Sequence, residues 1–245
     1  MNGKDTVFIA GRDIRDFGAY LQTDYRISGQ TVTQSLCRGR GDVWFHSLGT
    51  EHGMLTVELP LDFHGAEPET IAGNMAALRG LCRGAFFLEV GDGFLYRCCL
   101  TEAGECRWSG MSLCSQTLTL AAQRLGQPRC VKGTLPLTLY NPGTWEKTGC
   151  RLILRSFTLN SQDGAHINLF QNGTLYQSFT LEGTFSGKDL LLDGMEKRIR
   201  YGTGTLPAGS MVWTEYPYLL PGTIQIVLDG GSAESGEVEF YPAFV

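Results

Sequence analysis

The stretch EYPYLLPGTIQIVLDGG, residues 215–231, holds the clearest structural pattern in the chain. Ile224, Ile226 and Leu228 recur at every second position, so an extended backbone places all three side chains on one face. The two prolines that come before them fix φ and donate no backbone hydrogen bond, which favours a stiff, non-helical approach. The stretch therefore predicts a half-buried strand of a β-sheet with an architectural lead-in.

The composition favours many short strands joined by tight turns. The chain has 245 residues, of which 32 are glycine, while 11% are aromatic and only 18% are charged. Such a combination is typical of all-β folds. The net charge is −5, without long runs of either sign, and this balance argues against a nucleic-acid-binding surface, which shows as a basic patch.

The beginning of the sequence predicts a protein made in a cytoplasm. The apolar run at residues 7–11 is too short for a secretory signal, and Arg12 and Asp13 follow at once. No apolar run approaches the roughly 18 residues that a membrane helix needs. We therefore expect no membrane insertion.

Eight cysteines raise the possibility of disulfides or a metal site. They are Cys37, Cys82, Cys98, Cys99, Cys106, Cys114, Cys130 and Cys150. None forms the closely spaced pair that a zinc site requires, and the four histidines lie at unsuitable spacings. We interpret the cysteines as buried or half-buried free thiols, which pack as small apolar groups.

The first half of the chain predicts strands around one helix. Residues 54–63 alternate apolar and polar side chains, as in a strand with one solvent-facing side. Residues 68–83 predict a helix, because Pro68 suits a first turn and apolar side chains recur at helical spacing. Those side chains are Ile71, Met75, Leu78 and Cys82. Residues 85–100 predict a β-hairpin, and the glycine-broken residues 37–53 a long exposed loop.

The second half follows the pattern of an antiparallel β-sandwich. A segment rich in proline and glycine, residues 132–144, separates it from the first half. Strands then recur at short intervals, and Asn172-Gly173 is the strongest short signal for a hairpin. We expect a mainly β protein of two domains: residues 1–135, barrel-like or sandwich-like with one α-helix, and residues 136–245, the sandwich.

No set of residues in the sequence predicts catalysis. GTFSGKD, residues 183–189, departs from a phosphate-binding loop, because Asp189 stands where Ser or Thr must hold magnesium. We interpret it as a hairpin turn. Glu237 and Glu239 alternate with apolar residues and are predicted on the solvent-facing side of a strand. We expect no enzyme, no bound cofactor and no metal site.

Aromatic residues around the quoted stretch are the candidates for contact with a ligand. They are Trp145, Trp213, Tyr216 and Tyr218. Exposed aromatic rings serve as anchors for sugars and partner proteins, which makes this group a possible glycan or partner contact. The same residues are equally suited to the core and lead-in of the sandwich, and both interpretations stay open.

The ordered set of segments resembles the distal tail (Dit-like) protein family of long-tailed, non-contractile bacteriophages and their prophages. The opening strands resemble that family's first segment, and the strand, helix and hairpin that follow resemble its N-terminal domain. The later segments resemble the entry, hairpin and closing strand of its C-terminal domain. The segments are residues 7–21, 54–100, 140–154, 189–201, 215–222 and 239–245.

This resemblance implies a structural protein of the virion, located in the tail tip or baseplate and assembled in the host bacterial cytoplasm. It implies a ring of six N-terminal domains around a passage for genomic DNA, which slides through without specific binding. It also implies a galectin-like C-terminal sandwich that anchors baseplate parts for host attachment. The implied partners are further copies of the chain, the tail tube protein, the tail-tip hub or tail-associated protein and the receptor-binding protein.

The alternative function is a carbohydrate-binding β-sandwich that acts as an adhesin for host surface glycans. It rests on the predicted sandwich and its aromatic residues. Glycan binding that is lost when Trp213 or Tyr218 is changed to Ala would distinguish it from a purely structural role.

Overall fold

The protein is mainly β and divides into two compact units. The computed structural model describes residues 6–22, 24–30, 32–37, 46–159, 164–206 and 209–245. The first unit ends at Leu125, and the second spans Gly126–Phe244. The predicted fold class, mainly β with one α-helix among the described residues, is confirmed.

The described residues of the first unit form eleven strands, one α-helix and one 3-10 helix. The helices are α1, Pro68–Leu81, and the 3-10 helix Ile14–Phe17. The strands are β1, Phe8–Ile9; β2, Arg12–Asp13; β3, Ala19–Leu21; β4, Arg26–Ser28; β5, Val32–Cys37; β6, His46–His52; β7, Leu55–His64; β8, Ala85–Glu89; β9, Leu95–Ala103; β10, Arg107–Trp108; and β11, Leu113–Leu125.

A large antiparallel sheet organises the first unit. Its strands follow the order β2-β1-β8-β9-β11-β7-β3, with β10 paired to β11 and β4 paired to β7. The alternation in β7 buries every second side chain, as predicted, from Leu55 to Phe63. Helix α1 adds Ile71, Met75 and Leu78 to the same core, which confirms the helical stripe. Among the described residues, no helix has the length and apolar character needed to cross a bilayer.

A second, two-stranded sheet corrects one prediction. Strands β5 and β6 pair in an antiparallel ladder, so the long exposed loop predicted for residues 37–53 is wrong for 46–52. Residues 38–45 lie outside the described part of the chain. The sequence HSLGTEH has little preference for a strand, and pairing with β5 satisfies its backbone groups instead.

The second unit is built from strands alone in its described residues. They are β12, Arg129–Gly133; β13, Leu137–Asn141; β14, Thr148–Leu159; β15, Ala165–Gln171; β16, Thr174–Leu181; β17, Phe185–Asp193; β18, Arg198–Tyr201; β19, Gly204–Thr205; β20, Met211–Val212; β21, Tyr218–Leu219; β22, Gly222–Asp229; β23, Ser235–Phe240; and β24, Ala243–Phe244.

Two antiparallel sheets share one core in this unit. One sheet has the order β12-β23-β14-β17-β18-β19, with β21 paired to β14, and the other has the order β13-β22-β15-β16-β20. Strand β22 is the strand predicted within residues 215–231, and it buries Ile224 and Ile226 as predicted. The β15–β16 hairpin turns at Asn172 and Gly173, whose φ angles of 51° and 80° suit a type I′ turn.

Two features of the second unit could not be read from the sequence. Strand β12 comes before the predicted domain boundary near Leu135, yet it pairs with β23 of the second unit. The GTFSGKD segment is not a hairpin turn, because residues 185–189 belong to β17. Gly187 takes a positive φ of 71° at the point where the pairing of β14 with β17 shifts register. The glycine therefore permits a bulge within the strand.

All eight cysteines are free thiols, but they are not all buried or half-buried as predicted. Cys82, Cys98, Cys114 and Cys150 are buried, and Cys37, Cys99, Cys106 and Cys130 are exposed. The exposed thiols lie on strands or loops that face solvent. The alternation of apolar and polar residues in a strand does not show whether a small side chain such as cysteine is on the buried or the exposed face.

Candidate aromatic contact surface

The residues that lead into β22 cross from one sheet of the sandwich to the other. Just before them, β20 pairs with β16 of the five-stranded sheet. Further along, β21 pairs with β14 of the opposite sheet. We call residues 213–221 the cross-sheet segment. The proline-rich lead-in recognised in the sequence is therefore a connection that closes one side of the sandwich.

A single buried amide holds the middle of the cross-sheet segment. The Gln177 side chain, only 6% exposed, donates from Nε2 to the carbonyl oxygens of Glu215 at 3.1 Å and Tyr216 at 3.0 Å. Its Oε1 accepts from the backbone N–H of Tyr218 at 3.3 Å. These bonds satisfy backbone groups that have no strand partner along this part of the segment.

Two further contacts fix the segment, one to β14 of the seven-stranded sheet and one to β16 of the five-stranded sheet. The backbone N–H of Cys150 donates to Pro217 O at 3.2 Å, and the Tyr176 hydroxyl donates to Tyr218 O at 3.2 Å. Burial raises the pKa of Tyr176, in keeping with a phenol that stays protonated and donates. The segment is consequently a rigid support for the side chains that it carries.

Three of the four predicted aromatic residues lie on this support. Trp213 is 40% exposed, and its ring centroid lies 6.3 Å from that of half-buried Tyr216. Tyr218 packs against Tyr176, with 5.6 Å between ring centroids, and Lys147 Nζ lies 4.6 Å from the centroid of the Tyr218 ring. Trp213, Tyr216, Tyr218, Lys147 and Glu215 are hereafter the aromatic patch.

The charged members of the patch pair with each other across the segment. Lys147 Nζ lies 2.7 Å from a carboxylate oxygen of Glu215, and both side chains are about half exposed. The hydrogen bond to Glu215 raises the pKa of Lys147, so the ammonium persists at neutral pH. An exposed indole on the segment that also carries Glu215 suits contact with a sugar or a polar protein surface.

Trp145, the fourth predicted aromatic residue, has a different setting. It is half-buried, and its backbone N–H donates to Ala243 O at 3.1 Å near the end of the unit. Trp145 lies far before the cross-sheet segment in the sequence, and the aromatic patch is defined without it.

The seven-stranded sheet carries a network of ion pairs that corrects another prediction. Glu237, expected on the solvent-facing side of a strand, is only 5% exposed. Lys132 Nζ lies 2.7 Å from its Oε1, and Arg155 Nη2 lies 2.8 Å from its Oε2. Strands β12 and β14 flank β23, and their long basic side chains cover the carboxylate.

Cys130, Glu237 and Glu239 form the cluster of metal-ligand types that we find among the described residues. Their ligand atoms lie within 4.8 Å of one another. Glu237 is already bonded to two cationic side chains, and Arg151 Nη1 lies 2.8 Å from Glu239 Oε2. These neutralising partners make the cluster part of the ion-pair network, and we assign it no metal.

The chain is similar to known proteins in its three-dimensional structure and not detectably in its sequence. No protein-family model matches the sequence, and no curated protein sequence matches it significantly. The Dit protein of phage SPP1, described as a paradigm of the hub adsorption apparatus in phages that infect Gram-positive bacteria, is similar in structure with a TM-score of 0.68. The match covers 98% of this chain and 99% of that chain at 13% sequence identity. The chain has a Dit-like fold.

The Dit-like fold also matches chains of the phage P2 baseplate in its activated conformation. The structure with calcium gives a TM-score of 0.60, and the structure with strontium gives 0.59. Each match covers 94% of this chain and 92% of the other chain at 12% identity. At these identities the likeness establishes the fold.

Several residues that support the patch were missed in the sequence. Gln177 and Tyr176 come from β16, far before the cross-sheet segment, and they reach it only because the Dit-like fold closes the sandwich. The pattern at Tyr176–Gln177 predicts a strand and nothing more. Lys147 and Glu215 gave no signal either, because a single exposed charge has no characteristic spacing.

The first unit of the Dit-like fold exposes large apolar side chains of its own. Trp108 on β10 is 47% exposed, and Met111 in the turn before β11 is 72% exposed. Tyr20 on β3 is also about half exposed, and its ring lies edge-on to His64, with 5.5 Å between centroids. Single exposed apolar residues are common, but large ones are enriched where proteins associate.

Proposed function

We propose that this chain is a distal tail protein, a structural component of the tail tip of a long-tailed, non-contractile phage. The observation that carries the proposal is the extent of the match to SPP1 Dit, which includes almost all of both chains. A protein that shared only the sandwich or only one sheet would match a single unit of this chain. The match to SPP1 Dit covers both units. On this proposal the protein is not an enzyme, and its place is the virion.

The proposed assembly is a ring of six copies formed by the first unit. Rings of identical subunits use one heterologous interface repeated until it closes. The exposed Trp108, Met111 and Tyr20 offer apolar area for such an interface. Packing against a neighbouring copy would also cover sheet edges that would otherwise favour aggregation.

The charge of the first part of the chain suits a passage for DNA. Residues 1–135 carry 13 basic and 14 acidic residues, which makes this part nearly neutral. Binding to the phosphate backbone would need clustered Lys and Arg, and a nearly neutral wall lets DNA pass without holding it. The genome would accordingly slide through the ring.

The proposed role of the second unit is to hold other parts of the tail tip. Its rigid cross-sheet segment presents the aromatic patch on one side of the sandwich. We propose that the partners of the protein are the tail tube protein, the tail-tip hub or tail-associated protein, and the receptor-binding protein. The protein would be assembled with them in the cytoplasm of the host bacterium.

Native mass measurement of the purified chain tests the ring. We expect a species of about six times the chain mass of 26.9 kDa at high protein concentration. Replacing Trp108 and Met111 with Ser should shift the population toward the single chain, because apolar area at the interface is lost. Replacing Tyr140, a 60% exposed residue of the second unit, with Ser is the matched control and should leave the assembly intact. A single chain at every concentration, alone and with tail proteins, would contradict the ring.

A glycan-binding adhesin is the second candidate function, and the exposed Trp213 beside Tyr216 favours it. If sugars stack on this ring, Trp213→Ala should weaken binding to an immobilised panel of oligosaccharides at least tenfold, equivalent to about 1.4 kcal/mol. Tyr140→Ala is the control, since Tyr140 is exposed in the same unit but outside the aromatic patch. No binding by the wild-type chain to any member of the panel would rule this candidate out.

A further inference from the structure

Two cysteines lie at the hairpin of β10 and β11, Cys106 directly before β10 and Cys114 within β11. In this hairpin Trp108 lies opposite Cys114, and Arg107 lies opposite Ser115. Cys106 is two residues before Trp108, so it belongs to the same face as Cys114. Diagonal neighbours on one face of an antiparallel pair are about 7–8 Å apart, so a disulfide between them requires a small shift of the backbone just before β10.

The side-chain contacts agree with this register. Gln116 and Cys114 are two residues apart on β11, so their side chains project from the same face of that strand. Gln116 Nε2 lies 3.5 Å from Cys106 Sγ and donates to Gly104 O at 2.7 Å, which holds the residues before β10 against β11. Burial, and then the neighbouring Cys106 thiol, raise the pKa of Cys114.

The two thiols differ in their access to solvent. Cys106 is exposed, whereas Cys114 is fully buried. An exposed thiol can react with a disulfide from solution and form a mixed disulfide. A buried thiol can then attack that mixed disulfide only if it already lies beside the exposed cysteine. The pair has this arrangement.

We propose that Cys106 and Cys114 form an intramolecular disulfide when the protein meets a small-molecule disulfide outside a reducing cytoplasm. The Cys106 thiolate attacks one sulfur of the small molecule and forms a mixed disulfide, releasing one thiol. The Cys114 thiolate then attacks Cys106 Sγ and releases the second thiol. Two protein thiols are oxidised, one small disulfide is reduced to two thiols, and each step releases one proton from the protein.

The other described thiols are less suited to this reaction. Cys82 and Cys98 are both buried, so neither is placed to react first with an oxidant from solution. Cys130 is exposed, but its Sγ lies 3.3 Å from the Glu237 carboxylate within the ion-pair network. A negative neighbour disfavours its thiolate.

The cross-link would close the hairpin that carries Trp108 and Met111. Both residues lie between the two cysteines in the sequence, so the disulfide would restrict the loop that presents them. The protein would fold and assemble with an open hairpin in a reducing cytoplasm and acquire a covalently closed one in an oxidising medium. This last consequence rests on the proposed virion location, whereas the cross-link itself does not.

Oxidation of the full chain with oxidised glutathione at about pH 8, followed by alkylation and trypsin digestion without reductant, tests the proposal. Trypsin cuts after Arg97, Arg107 and Arg124, so the cross-link would join the otherwise separate peptides 98–107 and 108–124. We expect this peptide pair at the mass of its sum less two hydrogens, with fragmentation placing the bond at Cys106. Reductant should release both peptides.

Three variants complete the test. Cys106→Ser is a surface change that should abolish the linked pair while leaving the fold intact, and Cys114→Ser should leave Cys106 as a stable mixed disulfide with glutathione. Cys99→Ser is the control, because Cys99 is an exposed thiol in the same peptide as Cys106, and the link should persist. A wild-type chain in which Cys106 stays glutathionylated and Cys114 stays a free thiol would overturn the proposal. The result is independent of whether six copies form a ring.

Discussion

Gly194→Ala is expected to destabilise the second unit by about 3 kcal/mol or more. A Cβ atom on Gly194 would lie 1.9 Å from Pro217 O and 3.0 Å from Cys150 O. Both are backbone atoms, so no side chain can rotate away to make room. The same three residues are joined by hydrogen bonds, from Gly194 N to Cys150 O at 2.8 Å and from Cys150 N to Pro217 O at 3.2 Å.

Urea unfolding followed by circular dichroism measures this effect. The substitution forces the cross-sheet segment away from β14 and weakens two backbone hydrogen bonds of about 1 kcal/mol each, in addition to the steric cost. Gly204→Ala is the matched control, because the nearest atom to its Cβ is Tyr201 O at 3.9 Å, and its free energy of unfolding should change by less than about 0.5 kcal/mol. Equal midpoints for Gly194→Ala and the wild type would show that the segment is not tightly packed against the sheet.

Glu237→Gln is expected to destabilise the second unit at neutral pH and to remove part of its sensitivity to acid. The hydrogen bond from Lys132, assisted by those from Arg155 and Cys130, lowers the pKa of Glu237 to about 2, against the opposing effect of burial. Because the pKa is lower in the folded state, this contribution to stability is complete above about pH 4.5. It is lost progressively as the pH falls from about 4.5 toward 2.

The measurement compares free energies of unfolding at pH 7 and pH 3. At pH 7 the loss in Glu237→Gln should be about 1–3 kcal/mol, since a hydrogen-bonded carboxylate is removed but its cationic partners still reach solvent. The difference from wild type should shrink at pH 3. Glu215→Gln is the control, because its pair with Lys147 is half exposed and worth at most about 1 kcal/mol. A gap between wild type and Glu237→Gln that stays constant with pH would contradict this account.

The sequence predicted those parts of the fold that depend on neighbours along the chain. Ile224 and Ile226 alternate within one strand, and Asn172-Gly173 turns between two strands, so each pattern contains its own evidence. Helix α1 likewise followed from the spacing of Ile71, Met75 and Leu78. In each case the decisive residues lie within one turn or a few positions of each other.

What could not be predicted depends on elements far apart in the chain. Alternation told us which side of β23 carries Glu237 but not that Lys132 and Arg155 would cover it from the two adjacent strands. Three aromatic residues of the patch were found because they are neighbours in sequence. Their support by Gln177 could not be found, because a polar residue in a strand gives no signal of the partner that it will meet.

The tip of the β15–β16 hairpin offers a place to insert a foreign peptide. Both tip residues, Asn172 and Gly173, lie in the left-handed region, and an added Cβ on Gly173 would have no atom within 4 Å. Lengthening such an exposed turn costs little, because the entropy of closing a loop grows slowly with its length. An epitope or a fluorescent label placed there would mark the position of this unit in an image of an assembled particle, with both sheets of the sandwich left undisturbed.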